Sequence, residues 1–453
     1  MKRTKVLFIG AGVGNLLAAN YLSEQFGKDF LILEKGMTLE ARQCPGVQNS
    51  HCQHCAVCQI ESGTGGANAL HGNKLCHFPA SHRIVDFGGK KWVGPAMAYI
   101  RQFSRTITNG AQPQCEQLTS VALKAYHSDI LPQVHFAELI RNLTQNLKKH
   151  IYNQEEVTGI YRLNGSFVVE TKWHTYETEQ VVIGTGRSSY RFLEEFLSQN
   201  AYGYRRLSPD IGIRVEGSPE LFSDLYYYQA DPKLKFDYPE GCGRTFCAHN
   251  QGMVVPVKLG KSSYADGAFG NFSTRLNNIA LMVRSTVPLP IDKLEQWAER
   301  INQRTGGSLL MGEVSMTDPQ YAIQQILGLL EEFPSQDHAR LFTRLLEDLF
   351  AGERAIFRFD PQTPLKMKIY APAIDRYWVR PELNRDFSVK GDPGIYIIGD
   401  AVGLSRGFLQ AMFAGYVWAR NFVEKTIRHS NHYDKIRCGR LSSGLCEDAV
   451  RER

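Results

Sequence analysis

Residues 48–72, QNSHCQHCAVCQIESGTGGANALHG, set three cysteines at even spacing directly ahead of a glycine patch. Thiolates at Cys52, Cys55 and Cys58 have the spacing that opens a bacterial ferredoxin run, in which the fourth ligand is remote. Cys44, which precedes Pro45, or Cys76 would supply that fourth thiolate. The same thiols, with His51, His54 and His77 nearby, are also the donor types of a zinc site. A redox dithiol is a third chemistry, and a set of unliganded cysteines is a fourth. Five of the ten cysteines lie between Cys44 and Cys76, a clustering that favours a metal or redox role. The expected metal set is therefore Cys44, Cys52, Cys55 and Cys58, holding a [4Fe–4S] cluster or zinc.

Such a segment needs elements to position it. Residues 5–36, KVLFIGAGVGNLLAANYLSEQFGKDFLILEKG, read as strand, tight turn, helix and second strand. Gly10, Gly12 and Gly14 form the turn, Leu16, Leu17, Ala19 and Leu22 follow a helical period, and Glu34 closes the second strand. This order is the βαβ dinucleotide-binding unit. Its glycines let the backbone approach a pyrophosphate, and the helix N-terminus faces the negative charge. Glu34 then stands where an acid binds ribose hydroxyls. Asn15 occupies the usual third-glycine position, which predicts a helix set slightly outward from the strand.

Two distant pieces complete the pattern. EQVVIGTGRSS (179–189) is an apolar strand ending in Gly184 and Gly186, and EVTGIYRLNGSFVVETKW before it alternates like a hairpin turned at Asn164–Gly165. GIYIIGDAVGLSRGFLQAMFAGYVWARNFVEK (394–425) is a buried strand with Gly399–Asp400 at its C-terminal end and a long helix after it. No second strand–glycine–helix unit stands in the middle of the chain. An electron donor, NAD(P)H or a redox protein, is accordingly expected to bind transiently.

The order of these motifs resembles a family of uncharacterised bacterial FAD-dependent dehydrogenases, also called NAD(FAD)-utilising dehydrogenases, within the glutathione-reductase-type flavin superfamily. The resemblance runs through GAGVGNLLAA, CQHCAVCQIESGTGGANALHGNKL, DIGIRVE, TFCAHNQGMVVPV and GIYIIGDAVGLSRGFLQAMFAG. It implies FAD as cofactor. By that resemblance Gly10, Gly12, Gly14, Asn15, Glu34, Lys35 and Arg42 belong to its site. So do Gly65 and Gly66 of the flavin-side loop, and Gly184 and Gly186 near the adenosine half. Asp400 after Gly399 would bind the ribityl chain, with Gly407 and Phe408 near the ring. The resemblance also places Cys247, His249, Arg376 and Tyr377 on the reactive side as candidate catalytic groups. Where relatives carry GGAGxFSDGKL this chain has GGANALHGNKL, a departure that bears on the substrate pocket.

The chain has 453 residues, 43% of them apolar and 22% charged, which suits a soluble protein of two or more domains. A net charge of +6 suits an anionic cofactor or small-molecule substrate, and without a dense basic block a nucleic-acid partner is not expected. No run reaches the roughly 18 apolar residues of a membrane span. The basic, then apolar, start resembles a leader peptide, but its glycines have the structural use just described, so a cytoplasmic protein is expected. The expected fold is α/β, with an N-terminal FAD-binding βαβ domain and an inserted antiparallel-sheet α+β substrate domain. The boundaries are 1–85, 130–195 and 380–428 for the FAD-binding part, 86–129 and 196–379 for the substrate part, and 429–453 for a polar tail. TDPQYAIQQILGLL and DHARLFTRLLEDLF are expected as packing helices of the inserted domain. The expected function is an FAD-dependent oxidoreductase. The alternative is a flavin-binding protein with structural FAD and a zinc-stapled loop that binds a partner or RNA.

Overall fold

The computed structural model describes residues 1–47, 51–72, 74–104, 106–107, 126–222, 225, 231–269, 274–353, 355–375, 379–404 and 406–441. Two sheets organise these residues, and the class is α/β as expected. The chain opens with β1 (Lys2–Ile9), α1 (Val13–Gln25) and β2 (Phe30–Glu34). β1 and β2 pair in parallel with Val6 opposite Phe30, and β1 also pairs in parallel with Thr175–Ile183, Leu7 opposite Val181. Asp392–Ile397 joins the far side of Thr175–Ile183, again in parallel. Val6 to Ile9 are buried on both faces because helices cover both sides of such a sheet. The hairpin Val157–Leu163/Ser166–Thr171 turns at Asn164 and Gly165, both with positive φ, the conformation a two-residue turn demands.

The second sheet has six described strands, all antiparallel to their neighbours. Their order is Lys235–Tyr238, Gly241–His249, Asn277–Ser285, Asp210–Gly217, Leu365–Asp375 and Leu310–Met316. Met253–Leu259 and Ser262–Ala268 form a separate hairpin over it. The packing helices are Pro319–Leu330 and Gln336–Phe350, begun by Asp318 and Ser335, whose side chains accept from the Tyr321 and His338 amides. Leu341, Phe342, Leu345 and Trp297 pack with Ile213, Val215 and Leu281 in a core of their own.

The other core joins β1 and α1 to the helix Phe408–Leu441. α1 and that helix cross at close range, because a Cβ on Gly14 would lie 2.8 Å from the Ala411 carbonyl. Two expectations change. Residues 86–100, expected in the inserted domain, pack in this first core: Ala96, Met97 and Ile100 are buried in it beside Ile84, and Tyr99 packs edge-on against Tyr21. The last helix continues to Leu441, so the segment begun at 429 is helical over its first part. Among the described residues no helix is long and apolar enough to cross a membrane.

Candidate functional site

The C-terminal ends of the parallel strands open into a cavity of about 790 Å³ that extends beneath the antiparallel sheet. Its floor is made where four chain segments meet. Gly10 donates to the Leu33 carbonyl at 2.7 Å, Gly184 donates to Ile9 at 2.9 Å, and Ile398 donates to Ile183 at 2.9 Å. Gly65 donates to Ala11 at 2.9 Å and bridges Gly12, bringing the loop after the cysteines onto the first turn. Gly10 has φ +93°, and a Cβ there would sit 2.8 Å from the Gly184 carbonyl, so the meeting point admits only glycine. The segment between Gly399 and Gly407 closes the floor.

Almost every cofactor residue expected above lines this cavity. Gly10, Gly12, Gly14 and Asn15 come from the first turn, Glu34 and Lys35 from the end of β2, and Gly65 and Gly66 from the loop. Gly184, Gly186, Gly399, Asp400, Gly407 and Phe408 come from the later strands and the start of the last helix. Arg42 does not line it. Its five N–H groups donate to the carbonyls of Gln59, Ile60, Thr64 and Gly66, so Arg42 braces the loop from behind. Burial pushes its guanidinium down to about 10, against the pull of Glu34 and Glu61. Asn15 also differs from expectation. Its amide donates to the carbonyls of Ile9 and Gly10 at 3.0 and 2.7 Å, tying helix to strand where a third glycine would merely let them approach.

The floor has the features a dinucleotide requires. No side chain caps the N-terminus of α1 and no acid stands in its first turn, which leaves its positive end facing the cavity. The Glu34 carboxylate accepts from the amides of Ala11, Gly36 and Gly63 at 2.7, 2.8 and 3.0 Å. A carboxylate has about four acceptor positions, so one remains for a hydroxyl. Asp400 is half-buried, and its Oδ1, out of contact with solvent, has no hydrogen-bond partner. Burial pushes its carboxyl up to about 7, with Glu61 adding repulsion while Arg187 and the Gly407 amide oppose the rise. A buried carboxylate oxygen without a donor is costly, and a ligand hydroxyl would satisfy it.

The roof is charged. Arg187 bridges Glu61 at 2.6 Å and Asp266 at 2.5 Å, and Asp266 also faces Arg214. Arg214, 1% exposed, donates to the Cys247 carbonyl at 2.9 Å and to Asn278 at 2.6 Å. Cys247 sits at a bulge with φ +49°, where the pairing register shifts between Phe246 and His249. The Lys74 ammonium donates to its thiol at 3.4 Å. Burial acts to lower Lys74, but Asp231, with Cys247 and Cys76, holds it above its usual value. Burial, with repulsion from Lys74 and Arg214, holds the His249 imidazole well below its ordinary range, so it is neutral. Cys247 and His249 both line the cavity; Arg376 and Tyr377 lie outside the described residues.

The cysteine run stands behind the floor. Among the described residues no three His, Cys, Asp or Glu side chains are arranged to hold a metal ion, so the set Cys44, Cys52, Cys55 and Cys58 is not assembled as ligands. Cys58 is instead tied to the antiparallel hairpin, its sulfur accepting from the Lys258 amide at 3.5 Å while the Lys258 ammonium donates to the Cys55 carbonyl at 3.2 Å. Cys52 donates its amide to Ser308 at 3.0 Å. The segment is thus fastened to Lys258 of the hairpin and to Ser308, and burial pushes the Cys44 thiol up to about 11 and the Cys58 thiol upward. Residues that sequence reading missed, Lys74, Lys233, Arg244 and Arg406, line the cavity too. Lys74 stood inside the quoted GGANALHGNKL, but nothing local marked its side chain as a cavity group.

No family model matches the chain, and no curated protein matches it. Solved structures match at low identity. The open conformation of a flavocytochrome c3 fumarate reductase is 11% identical, over 92% of this chain and 77% of that one, with a TM-score of 0.41. A flavoprotein/dehydrogenase from Cytophaga hutchinsonii is 9% identical, over 93% and 79%, with a TM-score of 0.38. The Diels–Alderase PyrE3 of pyrroindomycin biosynthesis is 13% identical over 91% of this chain, with a TM-score of 0.37; this chain spans 63% of its length. Likeness at this level assigns no activity to the chain.

Proposed function

We propose that the chain is an FAD-dependent oxidoreductase acting on a small molecule, related to the bacterial FAD-dependent dehydrogenases its motifs resemble. The observation that carries this reading is the convergence of four distant glycine-bearing segments on one cavity floor, with the partnerless Oδ1 of Asp400 at its end. The Gly10–Asn15 turn and the start of α1 would hold the pyrophosphate, and the open acceptor position of Glu34 a ribose hydroxyl. Gly184 and Gly186 would flank the adenosine half, Asp400 the ribityl chain, and Gly65, Gly66, Gly407 and Phe408 the ring. The FAD-binding part is then 1–104, 130–195 and 380–441, and the inserted part, the antiparallel sheet with its helices, supplies the roof.

When bound, FAD supplies hydride or single-electron transfer. The chain's own groups exclude water and place charge. Lys74 donates to the Cys247 thiol on the cavity wall, and the neutral His249, whose Nδ1 accepts from Arg214, keeps Nε2–H as a donor on the same wall. Arg187, paired twice, fixes the Glu61 loop against the hairpin. The inserted sheet is antiparallel throughout its described strands and so offers no βαβ site for a resident nicotinamide. The electron donor, NAD(P)H or a redox protein, would exchange at the cavity mouth. The cysteines at 44, 52, 55 and 58 enter no step.

The test is FAD titration into flavin-stripped protein. A hydrogen bond to a buried carboxylate contributes about 1.5–3 kcal/mol, so Asp400→Ala should weaken FAD roughly tenfold to a hundredfold. Equal affinity for the two proteins would remove Asp400 from the site.

A further inference from the structure

We propose that the roof carries an anion subsite for the carboxylate of a small organic acid, formed by Lys74, Lys233, Arg244 and Arg406 around Phe246. This rests on the oxidoreductase reading for its place beside the flavin, and otherwise on the cavity wall alone.

Three cations surround one ring. Lys233 lies 5.0 Å, Arg244 4.5 Å and Arg406 4.8 Å from the Phe246 centroid. All four of these residues line the cavity, as does Lys74. Their carboxylates stand behind them. Lys74 and Lys233 share Asp231, at 3.2 and 3.6 Å. Arg244, Arg284 and Arg406 share Asp210 and Asp375. Asp210, Asp231 and Asp375 are at most 2% exposed and are not part of the cavity wall. Five described cations thus face three carboxylates, and it is the cationic side that the cavity meets. Burial and repulsion from Arg244 and Arg187 act against the Arg406 charge. A guanidinium keeps its proton nonetheless, so the field is relieved by an incoming anion.

The geometry selects a type of anion. Arginine N–H groups receive a carboxylate in charge-assisted bonds: Arg406 gives both Nη groups to Asp375, whereas Arg244 meets Asp210 and Asp375 through Nη2 and keeps a partnerless Nε, and the rings of Phe246 and Tyr126 offer apolar surface for an attached body. Arg406 directly precedes Gly407 and Phe408 of the floor. A carboxylate on the roof therefore sets the rest of a small acid over the end of the cavity where the ring would lie.

Benzoate, its neutral isostere benzamide and inorganic phosphate are the probes, titrated calorimetrically into the full-length protein with its flavin content measured in the same sample. Benzoate should bind at least about tenfold more tightly than benzamide, and Lys233→Met or Arg244→Gln should weaken it by about tenfold. Both substitutions leave each buried aspartate a cation: Asp231 keeps Lys74, Asp210 keeps Arg284 and Asp375 keeps Arg406. Flavin content should not change in either. Benzamide binding as well as benzoate, phosphate binding more tightly than benzoate, or no benzoate binding by flavin-loaded protein would each overturn the subsite. Protein that never retains flavin contradicts the oxidoreductase reading instead; selective benzoate binding that Lys233→Met abolishes would still support the subsite.

Discussion

The floor and the roof of the cavity recognise by opposite means. The floor is backbone: glycines, amides and one helix end, with Glu34 and Asp400 the acids among its expected cofactor contacts. The roof is side chain: lysines and arginines held forward by aspartates buried behind them. A backbone site is rigid and reads a shape shared by every molecule of one cofactor. A side-chain site is altered by single substitutions, which suits the part of an enzyme that chooses its substrate. The two should therefore respond independently to mutation.

The largest expected effect is on the floor. Gly10→Val puts a β-branched side chain at φ +93° with its Cβ 2.8 Å from the Gly184 carbonyl. Strain of this kind costs about 1–3 kcal/mol, so FAD affinity should fall up to roughly a hundredfold, measured by fluorescence quenching. Affinity close to wild type would mean that the four segments do not need to meet for the cofactor to bind. Next is the pH dependence set by Asp400. Its carboxyl is raised from 3.8 to about 7, so between those values the folded, flavin-free chain holds a proton that the unfolded chain has released. Its stability is full at low pH and is lost as pH rises through about 7. Asp400→Asn should remove that component, and denaturant midpoints of the flavin-free proteins should diverge with rising pH, the variant becoming the more stable. Parallel pH profiles would show that Asp400 is already satisfied. Smallest on the floor are the roof variants: Lys233→Met and Arg244→Gln should change flavin content little while weakening benzoate about tenfold. A roof variant that loses its flavin would break the separation of the two surfaces.

What sequence showed follows the same division. The floor was legible because its chemistry is local: Gly10, Gly12 and Gly14 within five residues, Gly184 and Gly186 at a strand end, Asp400 after Gly399. Each lies in a strand–turn–helix context that is itself written in hydrophobic periodicity. The roof was not, because Lys74, Lys233, Arg244 and Arg406 are separated by up to 332 positions and meet only through Asp231, Asp375 and the Phe246 ring. For Arg42, the position near a cofactor motif was visible while its four carbonyl acceptors at 59–66 were not. The cysteines pose a related case. Regular spacing expresses which side chains can converge, but Cys52 and Cys58 are held by Ser308 and Lys258, about 200 positions or more away. Residues 86–100 have the apolar content to join either core, and only contact with Tyr21 and the last helix decides between them.

The measurement closest to the central claim is the visible spectrum of the freshly purified full-length chain, with the released chromophore identified after denaturation. The account predicts a yellow protein with flavin absorption bands that releases FAD at close to one equivalent per chain. A colourless protein that takes up no FAD on incubation would contradict it.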